Sequence, residues 1–249
     1  MSNVPEKWSK EEKALDAERR LMNEALAKLG KVEMKRGAGR LIFGLDLTGS
    51  REASLRHARI ATAAMFDTIK AVGAVAVKLV YYRGSECKAS AWHAAATEIT
   101  KPMLGLSCKT GNTQIARILK LALAEKEKIS GVVFVGDHCE DSPDELLALA
   151  ATLGKRSIPL FIFHEIVDQD NYALQARPVF ERMAKLSAGV YTEFRPDSGA
   201  ILRELLSTVA AFAAGGSEAV RQVAAPKTPE ARQLQASLML GPGDASEKR

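Results

Sequence analysis

The sequence predicts a doubly wound α/β domain: a mostly parallel six-stranded sheet with helices on both faces and one short antiparallel edge strand. Two observations predict it. Apolar runs recur without the clean alternation of a one-sided sheet, which marks strands covered on both faces. Helical periodicity separates them, and right-handed crossovers then stack the helices on the two faces.

The elements follow in chain order. From Glu6 to Lys35 the chain is charged and helical in pattern. Trp8, Leu15, Met22 and Leu29 fall seven apart, and Leu26 widens the stripe. The stripe packs on its own core or docks a partner helix, although charged Glu11 and Glu18 weaken a coiled-coil reading. Residues 1–39 therefore read as an N-terminal helical arm, closed by the hinge Gly37, Ala38 and Gly39.

The core domain is expected over 40–214. Leu41–Leu47 is a first strand ending at an acidic residue, and 51–72 carries a helical stripe from Leu55 to Val72. Residues 74–83 read as a second strand, and Cys87–His93 as a short edge strand. A short helix is expected over 95–104, a polar loop over Gly105–Asn112 and a helix over 113–127. Gly131–Val135 is a further buried strand, ending before Asp137. Pro143–Leu153 is helical, with Ser142 at the N-cap and Pro143 at the first helical position. Ile158–His164 is the fifth strand. A helix over 171–187 is kinked or restarted at Pro178. Val190–Phe194 is the sixth strand, and 197–213 is the last helix. Residues 215–249, rich in Gly, Pro, Ser and Ala, read as a flexible tail, with Pro229–Leu240 as a short helix or docking peptide.

Composition narrows the function classes. The chain has 249 residues, 47% hydrophobic and 26% charged, which excludes a disordered or collagen-like chain. No apolar run approaches the roughly 18 to 20 residues of a membrane-spanning helix. The charged segment Met1–Lys13 lacks the apolar stretch of a secretory signal, and three widely spaced cysteines (Cys87, Cys108, Cys139) form no disulfide framework. The expected location is the cytoplasm. The formal charge of +5 is spread as +2 over 1–39, +2 over 40–214 and +1 over 215–249. No block is basic enough to suggest a nucleic-acid surface.

In open α/β sheets, ligands bind beyond the carboxyl ends of the strands. Strand one ends in Asp46-Leu47-Thr48-Gly49-Ser50, and strand four in Gly136-Asp137-His138. Between them Thr110-Gly111-Asn112-Thr113 enters a helix. Carboxylates and hydroxyls are hard oxygen donors, suited to Mg²⁺ or Mn²⁺. Taken singly, Asp46, Ser50 and Thr113 are each more often helix caps than ligands.

The pattern Asp46-x-Thr48-x-Ser50, then Thr113, then Asp137, resembles the metal-ion-dependent adhesion site of von Willebrand factor A (VWA) domains. The resemblance covers about 40–214. It implies that Asp46, Thr48, Ser50, Thr113 and Asp137 hold Mg²⁺, or Mn²⁺ or Ca²⁺, with Asp137 often acting through water. Two departures stand out: Thr48 replaces the usual serine, and Gly136-Asp137-His138 replaces the usual Thr-Asp-Gly. His138, Asn112 and Arg51 form the expected partner-binding rim, whereas Glu140 and Asp141 are read as a solvated loop.

The function expected is a non-enzymatic adaptor, in which a partner's Asp or Glu completes the ion's shell. By family analogy the partner is an AAA+ ATPase. Membrane and nucleic-acid partners are not expected. The alternative is a Mg²⁺-dependent phosphohydrolase with Asp46 as nucleophile. The related haloacid-dehalogenase pattern places a second aspartate where this chain has Thr48.

Overall fold

The computed structural model describes residues 39–52, 55, 75–94, 98, 103, 105–167, 170–195 and 198–240. The expected arm helix lies outside them. So do most of the expected helices over 51–72 and 95–104.

Strands β1 (Gly39–Asp46), β2 (Val75–Arg83), β4 (Gly131–Gly136), β5 (Leu160–Glu165) and β6 (Tyr191–Phe194) run parallel, and β3 (Glu86–Ala89) pairs antiparallel with β2. The sheet order is β3-β2-β1-β4-β5-β6. The chain builds outward from β1 to one edge, then returns to β4 and builds toward the other. The switch point therefore lies between β1 and β4, where such sheets open a crevice at their carboxyl ends.

Buried strands explain the continuous apolar runs. Leu41, Phe43 and Leu45 of β1 face one hydrophobic layer, while Ile42 faces the other. One layer is closed by helix α1 (Ile115–Ala124), α2 (Pro143–Lys155) and α3 (Asn171–Leu186). Ile118, Leu146, Leu153 and Phe180 are its anchors, each fully buried. The opposite layer is closed by α4 (Gly199–Gln222) and α5 (Pro229–Leu240), through Leu202, Leu205, Val209, Leu234 and Leu238.

Local chemistry sets the helix ends. Pro143 opens α2 as expected, but the Ser142 side chain makes no cap bond; Asp144 and Glu145 carry negative charge into the first turn. Asp170 caps α3 by accepting from the Tyr172 and Ala173 amides at 2.9 and 3.2 Å. Pro178 does not restart that helix, which runs unbroken past its exposed ring.

The expected flexible tail is corrected through Leu240, while the short helix expected within it at Pro229–Leu240 is present as α5. Within α4 the helix breaks only at Gly215 and Gly216, where Gly216 takes φ +63°, and resumes to Gln222. The following turn is clasped by Glu204, whose carboxylate accepts from the Thr228 amide at 2.9 Å and the Thr228 hydroxyl at 2.7 Å. Ala231, Leu234 and Leu238 of α5 are buried in the core. The composition suggested looseness; the spacing of these three residues is that of an amphipathic helix, and it prevails.

Candidate metal centre

Three loops meet above the switch point. The first leaves β1 at Asp46. Asp46 is 1% exposed. Its Oδ1 accepts from the Thr48 amide at 2.8 Å and from the Thr48 hydroxyl at 2.7 Å. The Thr48 and Ser50 hydroxyl oxygens lie 3.3 Å apart. A tight 3-10 turn over Gly49–Arg51 carries Ser50 outward and Arg51 inward. The motif Asp46-x-Thr48-x-Ser50 thus folds as one hydrogen-bonded unit.

The second oxygen of Asp46 has a partner that the sequence reading did not connect to the site. Register pairs Asp46 with Tyr82 across β1 and β2, and the Tyr82 hydroxyl donates to Asp46 Oδ2 at 2.8 Å. Tyr82 also stacks on Phe134, with centroids 6.4 Å apart, so it packs the sheet as well as holding the carboxylate. Burial and the Asp46 charge push its hydroxyl well above the usual tyrosine range.

The second loop brings Asp137, 3% exposed, immediately after β4. Glycine is needed just before it. A Cβ on Gly136 would lie 2.5 Å from the Phe134 ring and 3.3 Å from the Asp46 Cβ, so only hydrogen lets the ends of β1 and β4 close in. Burial, and after it the Asp137 charge, raise the Asp46 carboxyl from 3.8 to about 6. The Asp137 Oδ1 atom is buried without a hydrogen-bond partner. A buried, unsatisfied carboxylate oxygen beside a second carboxylate is costly in a folded protein. A divalent cation relieves that cost, so the residues present fit one.

The third loop carries Thr113, and here the expectation for the neighbouring acids is corrected. Glu140 and Asp141 are not simply a solvated loop. Glu140 accepts from the Thr113 amide at 2.8 Å, while the Thr113 hydroxyl accepts from the Glu140 amide at 2.7 Å and donates to Asp141 at 2.8 Å. Asp141 also accepts from the amides of Ile115 and Ala116, both at 3.0 Å, capping α1 from a distant loop. The loop stays close to β2 because Gly111 crosses Gly84, where a Cβ would meet Gly84 at 2.5 Å. Lys109 completes the junction by donating its amide to the Leu47 carbonyl at 3.0 Å.

The donor set has a consistent proton count. The Thr48 hydroxyl proton goes to Asp46 and the Thr113 hydroxyl proton to Asp141. Each hydroxyl oxygen therefore keeps lone-pair capacity for a cation. Among the described residues no three His, Cys, Asp or Glu gather as a metal cluster, so hydroxyls have to supply part of any shell.

The expected rim divides. Asn112 is exposed and His138 half-buried, whereas Arg51 is 2% exposed and ion-paired with Glu165 at the end of β5. Arg51 is therefore not a rim residue; the 3-10 turn drives it under the loop, where its charge lowers the Asp46 pKa. His138 lies 2.7 Å from Asp170, and its ring is 5.8 Å from that of exposed Tyr172. Half-burial opposes its protonation, but the Asp170 bond and the Asp137 charge outweigh it and raise its pKa. His164, fully buried, holds the Asp137 carbonyl at 2.8 Å, and burial lowers its pKa to about 4. Neutral at pH 7, it donates Nε2–H to that carbonyl. Strand five also ends at this edge, which was the available signal for His164 and Glu165. Burial first, and acidic neighbours second, push the Cys108 and Cys139 thiols to about 12, leaving them protonated and unreactive.

No protein-family profile and no curated protein matches the chain. Solved structures do. The conserved hypothetical protein BatB from Bacteroides thetaiotaomicron is 14% identical with a TM-score of 0.56, over 71% of this chain and 99% of that one. The VWA domain of SpRpn10 is 15% identical with a TM-score of 0.52, over 70% and 94%. Proximal thread matrix protein 1 from the mussel byssus, solved with zinc in its MIDAS motif, is 14% identical with a TM-score of 0.52; the match spans 70% of this chain and 46% of that one. These likenesses establish the fold: the described sheet and its helices have the VWA fold. No helix among the described residues is long and apolar enough to cross a membrane.

Proposed function

We propose that this domain is a metal-dependent protein-interaction module. A divalent cation, Mg²⁺ before Mn²⁺ or Ca²⁺, is held by Asp46, Thr48, Ser50, Thr113 and Asp137, and an Asp or Glu of a partner protein completes its shell. The carrying observation is the pair Asp46 and Asp137, both buried at the switch point, with the Asp137 Oδ1 atom unpartnered. The solved relative with zinc in its MIDAS motif supports the class of site.

The ion, when bound, supplies a Lewis-acidic position for an incoming carboxylate. The chain's residues do the rest. Thr48 and Tyr82 fix the Asp46 carboxylate. His164 fixes the backbone of Asp137. Asn112 and His138 remain as the rim that a partner meets. The partner class is a protein presenting an acidic side chain, an AAA+ ATPase by analogy with the VWA family, and the setting is the cytoplasm.

A phosphohydrolase reading has less support. Both oxygens of Asp46 already accept hydrogen bonds, and Thr48, two residues on, donates to Asp46 rather than offering an acid or base. Calorimetric titration with Mg²⁺ and Mn²⁺ tests the first step, and partner capture with and without EDTA tests the second. Saturable binding lost in Asp46→Ala, together with capture lost in EDTA, is the expected result. A wild-type protein that binds neither ion overturns it.

A further inference from the structure

We propose that Asp141, which stands in no part of the expected ligand set, is the positioning residue that makes Thr113 a cation ligand and ties the site to the start of α1. The inference rests on the metal-binding reading above. Its basis is one carboxylate serving three donors that lie 25 to 28 residues earlier in the chain. Asp141 Oδ2 accepts from the Thr113 hydroxyl at 2.8 Å and from the Ile115 amide at 3.0 Å, and Oδ1 accepts from the Ala116 amide at 3.0 Å.

The consequence follows from the valence of a hydroxyl. Thr113 Oγ1 has one proton and two lone pairs. The proton goes to Asp141, and one lone pair accepts from the Glu140 amide at 2.7 Å. One lone pair is left, and the hydroxyl has no second proton to present. A threonine hydroxyl without Asp141 is free to rotate, and in some rotamers its proton faces the ion. A proton donated to a carboxylate also leaves the oxygen more electron-rich, hence a better donor to a hard cation.

The same carboxylate holds the first two amides of α1, which otherwise lack intrahelical partners. Gln114, at the N-cap position, makes no side-chain cap bond, so Asp141 supplies what the local sequence does not. Thr113 immediately precedes that first turn. Orientation of the hydroxyl and order in the helix start therefore depend on one side chain.

The test is a double-mutant cycle on Mn²⁺ affinity, with metal-free thermal unfolding as the fold control. Asp141→Ala should weaken Mn²⁺ binding by about tenfold or more. Asp141→Asn, which keeps one oxygen for Thr113 and Ile115, should restore most of that loss. In a Thr113→Val background, which has no hydroxyl to orient, Asp141→Ala should change Mn²⁺ affinity by less than about twofold. If Asp141→Ala does not fold, Asp141→Ser, which shortens the acceptor but keeps a polar group near the helix start, takes its place with the same expected loss. Equal losses with and without the Thr113 hydroxyl would show that Asp141 acts only on the scaffold and would overturn the proposal. An unchanged affinity in Asp141→Ala would do the same while leaving the metal site intact. Failure of the wild type to bind Mn²⁺ would instead remove the underlying reading.

Discussion

Asp137→Asn offers the sharpest perturbation, because the metal-binding reading requires it to move stability in opposite directions with and without ion. In the metal-free protein Asp137 raises the Asp46 carboxyl toward 6, second only to burial, and its own Oδ1 has no partner. Asp46 sits about two pH units above its ordinary 3.8, worth about 3 kcal/mol from all causes together. Removing the second-ranked cause should return on the order of 1 kcal/mol at pH 8, where Asp46 is ionised. For a domain of this size that is a rise of about 2–4 °C in Tm. With Mg²⁺ or Mn²⁺ at about a hundredfold above its dissociation constant, the wild type should gain about 2.7 kcal/mol, and the variant nothing. Differential scanning fluorimetry with titrated Mg²⁺, Mn²⁺ and EDTA reads both effects. A metal-free Tm lowered by Asp137→Asn, or an undiminished ion-dependent shift, would refute the argument that the aspartate pair is held for a cation.

The remaining predictions address the same frame. Cation affinity should be flat above about pH 7 and fall as pH drops through about 6, because a proton competes at Asp46; calorimetry across that range checks it. In the metal-free protein the raised pKa has the reverse consequence: the Asp46 contribution to stability is fully present below about 3.8 and is lost as pH rises through about 6, so Asp46→Asn should flatten that part of the stability profile. Arg51→Ala should cost about 3–5 kcal/mol in urea unfolding by leaving Glu165 charged and buried, and Arg51→Met with Glu165→Leu should recover much of it. Leu234→Ala should cost about 2–5 kcal/mol, whereas a flexible tail would register almost nothing.

The sheet was legible because burial on both faces leaves a strong mark in sequence. The runs at 41–47, 131–135 and 158–164 map onto β1, β4 and β5 with shifts of one or two residues at the ends. The site was legible where it is local: Asp46, Thr48 and Ser50 lie within five residues and fold as one hydrogen-bonded turn. It was illegible where it depends on register or on distant loops. Tyr82 reaches Asp46 only through the pairing of β1 with β2, and Asp141 caps a helix that begins twenty-six residues before it. Arg51 was misplaced because a three-residue 3-10 turn, rather than a full helical turn, decides which way it faces. The tail was misread because two adjacent glycines resemble a linker in composition, while in the fold they form a single kink between packed helices.

On the function proposed above, the arrangement suits binding for a reason of charge and saturation. Asp46 and Asp137, both ionised, would together balance one divalent ion. Asp46 nevertheless has three acceptor positions filled by Thr48 and Tyr82, and the remaining protein donors, Thr48, Ser50 and Thr113, are neutral. A third carboxylate in the shell would quench the ion's attraction for an outside acid. The two nearest candidates are both spoken for: Glu140 holds the Thr113 amide and Asp141 holds the Thr113 hydroxyl with the start of α1. Glu165, at the end of β5, is neutralised by Arg51. Among the described residues, Glu140, Asp141 and Glu165 are thus each committed to another bond. On the function proposed above, the place left in the shell suits a carboxylate of a partner protein.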